Sequence, residues 1–352
     1  MTSRSYLLLG VALLISAQLL ASMPLKHLRQ GMIRSSESGF TAVTPGEFAG
    51  TLLLGGFRGL ACDMLWLRAD TAQEEGKFYE SQALFGTISH IQPGFTQVWS
   101  YMSWNMAYNI GHEVEDQDAK WSWMLSGLEI NVTGCERNPQ SEFLLNHLAW
   151  MLNHHGDNFH AEIEAHDWQP LFGPLITAVN AQLPAVERLP PFPAGAGMTN
   201  YRIAAILYAA CLKLRDAQGM DPSTYAARML PLAIECDGDL YRNRGDHLRA
   251  LHVWLEALQA WQTTRERYLA PFAEPDQETR RELGLESYAR NEGALRRKAS
   301  ELARQLAPDP AIGTALAQAI VDRDLPTARA LLARPGFARS ARFGRIQWLD
   351  ER

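Results

Sequence analysis

The chain has 352 residues, of which 47% are apolar, 20% charged and 9% aromatic. Its net charge of −6 excludes the generally basic surface with which proteins coat nucleic acid. The ordinary balance of apolar and charged residues excludes a chain that is disordered throughout. The four cysteines lie far apart without a CxxC pair, so no zinc or redox motif is indicated, and buried thiols and disulfides both stay open.

An apolar stretch lies near the amino terminus, from Tyr6 to Met23, and stops before Pro24. At a rise of about 1.5 Å per residue, it is just long enough to cross a bilayer as a helix. We predict an uncleaved signal-anchor, a transmembrane helix, within residues 1–30; a cleaved signal peptide and a buried soluble helix are the alternatives. The basic residues after the stretch favour a cytoplasmic domain, but its short, weakly charged start favours export, so we expect an extracytoplasmic domain.

The rest of the chain is predicted to be all-α. Long alternating runs of β-branched residues are missing, and Ala, Leu, Met, Glu and Arg dominate. The segment 183–200 concentrates proline and glycine, which indicates a linker. It divides an N-terminal helical-repeat block, residues 31–182, from a C-terminal block, residues 201–352, which ends in a basic tail.

Two stretches have the spacing of the second helix of a tetratricopeptide repeat (TPR). The expected pattern is a glycine, a small residue five positions later, an aromatic residue nine positions later, a small residue twelve positions later and a closing proline. The first stretch has Ile88 at the twelfth position and ends at Pro93, and the second has Ala257 at the twelfth position. Small residues let antiparallel helices approach closely, and the aromatic ring fills the gap to the next pair. The pattern predicts a TPR-like α-solenoid of stacked antiparallel helix pairs. The residues predicted to pack its repeats are Gly76, Phe85, Pro93, Gly245, Ala250, Trp254 and Ala257.

Four short segments resemble the common opening of a group of bacterial membrane-anchored, TPR-like proteins. They are GGFRG at 55–59, WLRA at 66–69, Gln92-Pro93 and WNMAYN at 104–109. A later segment, 239–254, resembles the group's D-x-R motif and following aromatic helix, with Tyr241 where the group usually has tryptophan. The resemblance covers residues 55–260. It implies a membrane anchor followed by helical repeats and brings no catalytic residue. Together with the apolar stretch near the amino terminus, it leads us to expect a single-pass protein of a bacterial inner membrane with a periplasmic domain.

The WNMAYN segment carries most of the residues that we predict to bind a partner. It mixes aromatic rings with side-chain amides at spacings of one, three and four residues. Aromatic anchors contribute much of the binding energy in interfaces, and amides bond to an extended backbone. Packing of the tryptophan into the core is the alternative. The predicted partner-binding residues are Arg58, Trp104, Asn105, Tyr108 and Asn109.

A histidine-rich stretch, residues 147–167, is the strongest candidate for chemistry. Imidazole and carboxylate ligands suit zinc, nickel or copper, but HExxH is absent and the spacing across Gly156 is irregular. Solvated polar residues around a turn are therefore the simpler interpretation. A metal-dependent hydrolase is an alternative, with His154, His155, Asp157 and His160 as its ligands.

The sequence thus predicts a membrane-anchored TPR-like scaffold or adaptor. It would bind protein partners in a membrane or envelope complex of the transporter or secretion type. We predict no catalytic residue, cofactor, nucleic acid or small-molecule substrate. Besides the hydrolase, a purely structural assembly subunit is the remaining hypothesis.

Overall fold

The computed structural model describes residues 57–220, 224–269 and 285–334, together with Phe337. These residues form 13 helices and no β-strand, so the all-α prediction is confirmed. The first five are α1 Arg58–Glu74, α2 Phe78–Ile91, α3 Thr96–Trp104, α4 Gln117–Arg137 and α5 Glu142–His155. The others are α6 His160–Ala165, α7 Gln169–Ala181, α8 Asn200–Ala217, α9 Thr224–Asn243, α10 His247–Thr264, α11 Leu285–Leu306, α12 Pro310–Val321 and α13 Leu325–Leu332.

Two helices continue as π-helix. After α3 the chain runs through the π-helical stretch Asn105–Ile110 and a last α-helical turn, Gly111–Glu113. After α10 it runs through a second π-helical stretch, Arg265–Leu269. A π-helical turn contains more residues than an α-helical one, so it changes the faces on which the following side chains lie.

The turns after α1, α8, α9 and α12 have the same backbone geometry. Their central residues are Gly76, Gly219, Gly245 and Arg323, and each has a φ angle between 62 and 83°. In each turn the central N–H donates to the carbonyl three residues earlier, and the next N–H donates to the carbonyl five residues before it. Glycine adopts this left-handed conformation without steric cost. The same left-handed turn therefore ends four helices of the chain.

Arg323 is the single non-glycine residue with positive φ in the described ranges. Its guanidinium pairs with the carboxylate of Glu292, with Nε 2.9 Å from Oε1. Glu292 is nearly fully buried and also pairs with Arg265. The left-handed conformation costs a non-glycine residue about 1–2 kcal/mol, which the ion pair to the buried carboxylate offsets.

The TPR-like spacing combines exposed glycines, Gly76 and Gly245, with helix positions that lie inside the fold; Pro93 is half-buried. Phe85, Trp254, Ala250 and Ala257 are all buried. The Phe85 ring meets Trp66 of α1 edge to face, with centroids 5.1 Å apart. The aromatic side chain of each second helix thus fills space next to its partner helix, as the spacing requires.

The helices bury two hydrophobic cores. The smaller core joins α1, α2 and α3 and consists of Cys62, Ala69, Phe85, Ile88, Val98 and Met102. The larger core begins with Trp99 of α3 and extends through the later helices to Phe337. Neighbouring side chains of α3 therefore belong to different cores.

The predicted linker, 183–200, is irregular apart from a short 3₁₀-helix, Ala185–Glu187. Its side chains Leu183, Leu189 and Phe192 are buried in the larger core, which also contains helices from both sides of the segment. The side-chain amide of Asn180 holds the segment, since it donates to the carbonyl of Leu189 and accepts from its N–H. The division into two blocks stays a prediction.

The predicted anchor, residues 1–30, lies outside the described residues, as does nearly all of the basic tail. Within the described ranges, no helix combines the length and apolarity that a bilayer crossing needs. Both the anchor and the sidedness of the membrane therefore stay predictions.

None of the four cysteines is part of a disulfide. Cys62, Cys135 and Cys211 are buried, and burial raises the pKa of the Cys135 thiol well above its ordinary value. Of the two alternatives that the sequence left open, the structure shows buried thiols rather than disulfides. Such thiols behave as small apolar side chains.

Candidate functional site

A cavity of about 920 Å³ lies beside the α1–α2 hairpin. One wall comes from that hairpin, and the opposite wall comes from the π-helical stretch after α3 and from the start of α4. The turn after α5 closes one end. The lining residues are Asp70, Gln73, Glu74, Gly76, Phe78, Trp104, Ala107, Tyr108, Asn109, Gly111, His112, Glu113, Gln117, Lys120, Asn158 and Phe159. Three of the five predicted partner-binding residues, Trp104, Tyr108 and Asn109, thus meet at one cavity.

A row of half-buried aromatic rings runs along the cavity and past it. The ring centroids of Tyr101 and Trp104 are 6.3 Å apart, those of Trp104 and Tyr108 6.0 Å, and those of Tyr108 and Trp150 5.3 Å. Tyr108 is nearly parallel to Trp150, with 9° between the ring planes. Because Tyr108 stacks on a tryptophan at each side, the orientation of its ring is fixed.

The wall that carries these rings is π-helical. Trp104 ends the regular part of α3, and Tyr108 and Asn109 lie within Asn105–Ile110. Helix α4 packs tightly against this stretch at Gly127, where an added Cβ would come 2.6 Å from the carbonyl oxygen of Ser103. Short π-helical insertions are rare and frequently lie at functional sites. The local backbone thus marks the same wall as the aromatic rings do.

Asn105 lies behind this wall and does not line the cavity. It is only 3% exposed, and its amide nitrogen donates to Oε1 of Gln73 at 2.8 Å. Its carbonyl oxygen accepts from the amide of Asn109, also at 2.8 Å. Asn105 therefore ties α3 to α1 and positions two lining side chains, Gln73 and Asn109, instead of facing a partner from the cavity wall.

Arg58 is the other predicted partner-binding residue that does not line the cavity. It begins α1, twelve residues before Asp70, which corresponds to about 18 Å along a helix. The sequence predicted that Arg58 faces a partner, and this position lies away from the lining of the cavity.

The cavity is rich in carboxylates. Asp70 and Glu74 come from α1 and Glu113 from the opposite wall, and all three are exposed. Lys120 is the one lysine or arginine of the lining. None of these four side chains forms an ion pair with another side chain in the described part of the chain. The described lining therefore has a net negative charge, with three carboxylates against one lysine.

The histidines of 147–167 are spread over several surroundings. His154 is exposed beside Trp150, with ring centroids 5.3 Å apart. His160 bonds through Nδ1 to Oδ1 of Asn200 at 3.0 Å. The side chains of His155 and Asp157 are not among those that the structure describes. Among the described side chains, no three histidine, cysteine or acidic residues are close enough to hold a metal ion together.

His147 belongs to a buried polar network next to the aromatic row. The amide nitrogen of Asn131 donates to its Nδ1 at 2.7 Å, and the same amide donates to Oγ of Ser103 at 3.2 Å. Burial lowers the pKa of His147 to about 4. A protonated ring would also turn an N–H towards the amide donor, so the neutral form fits this network.

We expect His147 to make the fold acid-sensitive. As the pH falls from the ordinary histidine pKa of 6.5 to about 4, the unfolded chain binds a proton that the folded chain does not. The free energy of unfolding should therefore fall by about 2–3 kcal/mol across this window and no further below it. Urea unfolding at about pH 7 and about pH 4.5 measures the loss. His147→Gln should remove this loss, whereas His154→Gln, at an exposed position, should keep it; equal losses in all three proteins would contradict the assignment.

Comparisons of the chain with protein-family models, with curated proteins and with solved structures found no match. The resemblance to the membrane-anchored TPR-like group therefore stays a prediction from its motifs. Sequence reasoning missed the acidic residues of the cavity, since Asp70 and Glu74 have the pattern of an ordinary solvated helix face. The π-helical stretch and the close approach at Gly127 were also missed.

Proposed function

We propose that this chain is a membrane-anchored helical-repeat adaptor that binds a segment of a partner protein in the cavity between α1 and the end of α3. The observation that carries the proposal is the cavity itself. It combines fixed aromatic rings, side-chain amides and unpaired charges in one concave site. Concave sites with a few placed polar groups are the usual form of binding sites.

The helix pairs support the repeat part of the proposal. The same turn ends α1, α8, α9 and α12, and the aromatic residues of the TPR-like spacing are buried. Stacked helix pairs of this kind form curved TPR-like solenoids, whose concave faces serve as binding surfaces in other proteins.

The lining chemistry suits a peptide. Trp104, Tyr108 and Phe78 supply apolar contact for side chains, and Gln73 and Asn109 supply donors and acceptors for a backbone. The hydrogen bonds of Asn105 hold both amides in place before binding. Side chains that are already ordered lose less entropy when a partner binds.

The membrane part of the proposal rests on the apolar stretch from Tyr6 to Met23 and on the resemblance to an anchored bacterial group. An anchor would hold the cavity near the bilayer and raise the local concentration of a membrane-bound partner. We therefore propose that the partner belongs to an inner-membrane or envelope complex.

We expect Trp104→Ala and Phe78→Ala, taken from opposite walls, each to reduce the amount of bound partner about tenfold. The full chain, with a tag at its carboxyl terminus, is extracted from membranes with mild detergent, and the proteins that purify with it are quantified by mass spectrometry. Phe143→Ala is the matched control, because this exposed aromatic residue of α5 is not part of the lining.

Circular dichroism must show that each variant keeps the helical content of the parent. A partner retained equally by the parent and both cavity variants would contradict the cavity assignment. Recovery of the full chain in the soluble fraction, without detergent, would contradict the anchor.

A further inference from the structure

We propose that the cavity selects its partner segment by a basic side chain. The aliphatic part of a lysine or arginine would lie along the aromatic wall, and its charged group would pair with the carboxylates of Asp70, Glu74 and Glu113. This inference rests on the proposed function and adds the chemical class of the ligand to it.

The distribution of ion pairs gives the first argument. On the same α1–α2 hairpin, Arg68 pairs with Glu80 at 2.9 Å and Lys77 pairs with Glu75 at 2.6 Å. Asp70 and Glu74 have no such partner among the described residues. They lie four positions apart on one helix face, where two like charges are mildly unfavourable. A cation bound in the cavity would relieve this repulsion.

The position of Glu113 gives the second argument. It reaches the cavity from the α-helical turn Gly111–Glu113, on the wall opposite Asp70 and Glu74. Acidic side chains thus approach the same space from two elements of the fold. In the described part of the chain these carboxylates do not converge closely enough for one metal ion. A long organic cation fits carboxylates that are spread along a cavity better than a metal ion does.

The aromatic residues give the third argument. Lysine and arginine have long apolar stems that pack on aromatic surfaces while their charged ends stay among polar groups. Trp104 and Phe78 offer such surfaces from opposite walls. An arginine can also bond to a carboxylate through two N–H groups at once, which fixes its orientation.

The test uses the full chain in detergent micelles and a phage-displayed library of random peptides. Arginine and lysine should be enriched in the selected peptides. The strongest binder is then synthesised in a charged and a neutral version. In the neutral version citrulline, which has the shape of arginine without its charge, replaces arginine. Where the basic residue is lysine, norleucine replaces it. The neutral version should bind about tenfold more weakly.

Two triple variants separate a local effect from general attraction. The first variant neutralises the cavity carboxylates and should bind the charged and neutral peptides equally; it combines Asp70→Asn, Glu74→Gln and Glu113→Gln. The second variant makes the same change in net charge at exposed positions outside the lining. It combines Asp63→Asn, Glu115→Gln and Glu129→Gln, and it should keep the tenfold preference for the charged peptide.

The outcomes are distinguishable. Peptides that depend on Trp104 for binding but show no preference for a basic residue would overturn this inference and leave the proposed function intact. Equal loss of the preference in both triple variants would also overturn it, because the attraction would then be non-specific. If no selected peptide depends on Trp104, the proposed function and the inference both fail.

Discussion

Replacing Asp237 with alanine is expected to lower the free energy of unfolding by about 3–5 kcal/mol. Asp237 is a fully buried residue of α9. It accepts hydrogen bonds from Oγ1 of Thr199 at 2.7 Å and from Nε of Arg202 at 2.8 Å. It therefore joins α9 to the start of α8.

The large effect follows from what the substitution would leave behind. Burial disfavours the charge of Arg202, but the carboxylates of Asp237 and Glu256 outweigh it and raise the pKa of Arg202 above its ordinary value. Without Asp237, the buried guanidinium would keep one partner, Glu256, which its Nη1 reaches at 2.8 Å. Thr199 would also lose the acceptor for its hydroxyl, which caps α8 by accepting from the N–H of Arg202.

Urea unfolding followed by circular dichroism measures the effect. Glu256→Gln is the matched control, since Glu256 is partly exposed and its loss should cost only about 1 kcal/mol. The double substitution Arg202→Met and Asp237→Leu should recover much of the lost stability, because it removes both buried charges together. A cost below about 1 kcal/mol for Asp237→Ala would contradict the role assigned to this network.

A second large effect is expected at Gly127, where α4 packs against the π-helical wall. An alanine Cβ there would lie 2.6 Å from the carbonyl oxygen of Ser103 and 3.0 Å from the Cβ of Ala107. The backbone cannot move aside as a flexible side chain would, so Gly127→Ala should destabilise the protein by about 2–3 kcal/mol.

Gly86 of α2 provides the control with the opposite sign. An added Cβ at this helical glycine meets nothing within 4 Å. Gly86→Ala should therefore stabilise the protein by up to about 1 kcal/mol through helix propensity. The free energies of unfolding of the two variants should differ by about 2–4 kcal/mol. Equal shifts in the two variants would show that α4 does not depend on close approach at Gly127.

Local patterns allowed the fold class to be predicted. The composition favours helices, and glycine at 76 and 245 suits a left-handed turn, which both residues adopt. The equivalent turn at Arg323 could not be predicted, because arginine has no preference for positive φ. The ion pair between Arg323 and Glu292 joins residues that are distant in sequence, so no local sequence pattern predicts it.

The cavity was predictable only on one wall. Aromatic residues and amides at 104–109 indicated a binding face, and three of them line the cavity. An ideal helix places Asn105 beside Asn109 on one face, so the sequence grouped them together. The two side chains do bond to each other in the structure, but Asn105 also donates to Gln73 of α1 and is buried behind the wall. The acidic wall depends on how α1 packs against α3, which is a long-range property.

The two walls of the cavity belong to different cores. The α1–α2 hairpin belongs to the smaller core, whereas Ala107 of the opposite wall belongs to the larger one. Among the described residues, the larger core contains none from α1 or α2, so opening of the hairpin would expose the smaller core and leave the larger one packed. A ligand that touches both walls would act as a clamp on this opening, and amide hydrogen exchange in α1 and α2 would slow in proportion to its occupancy.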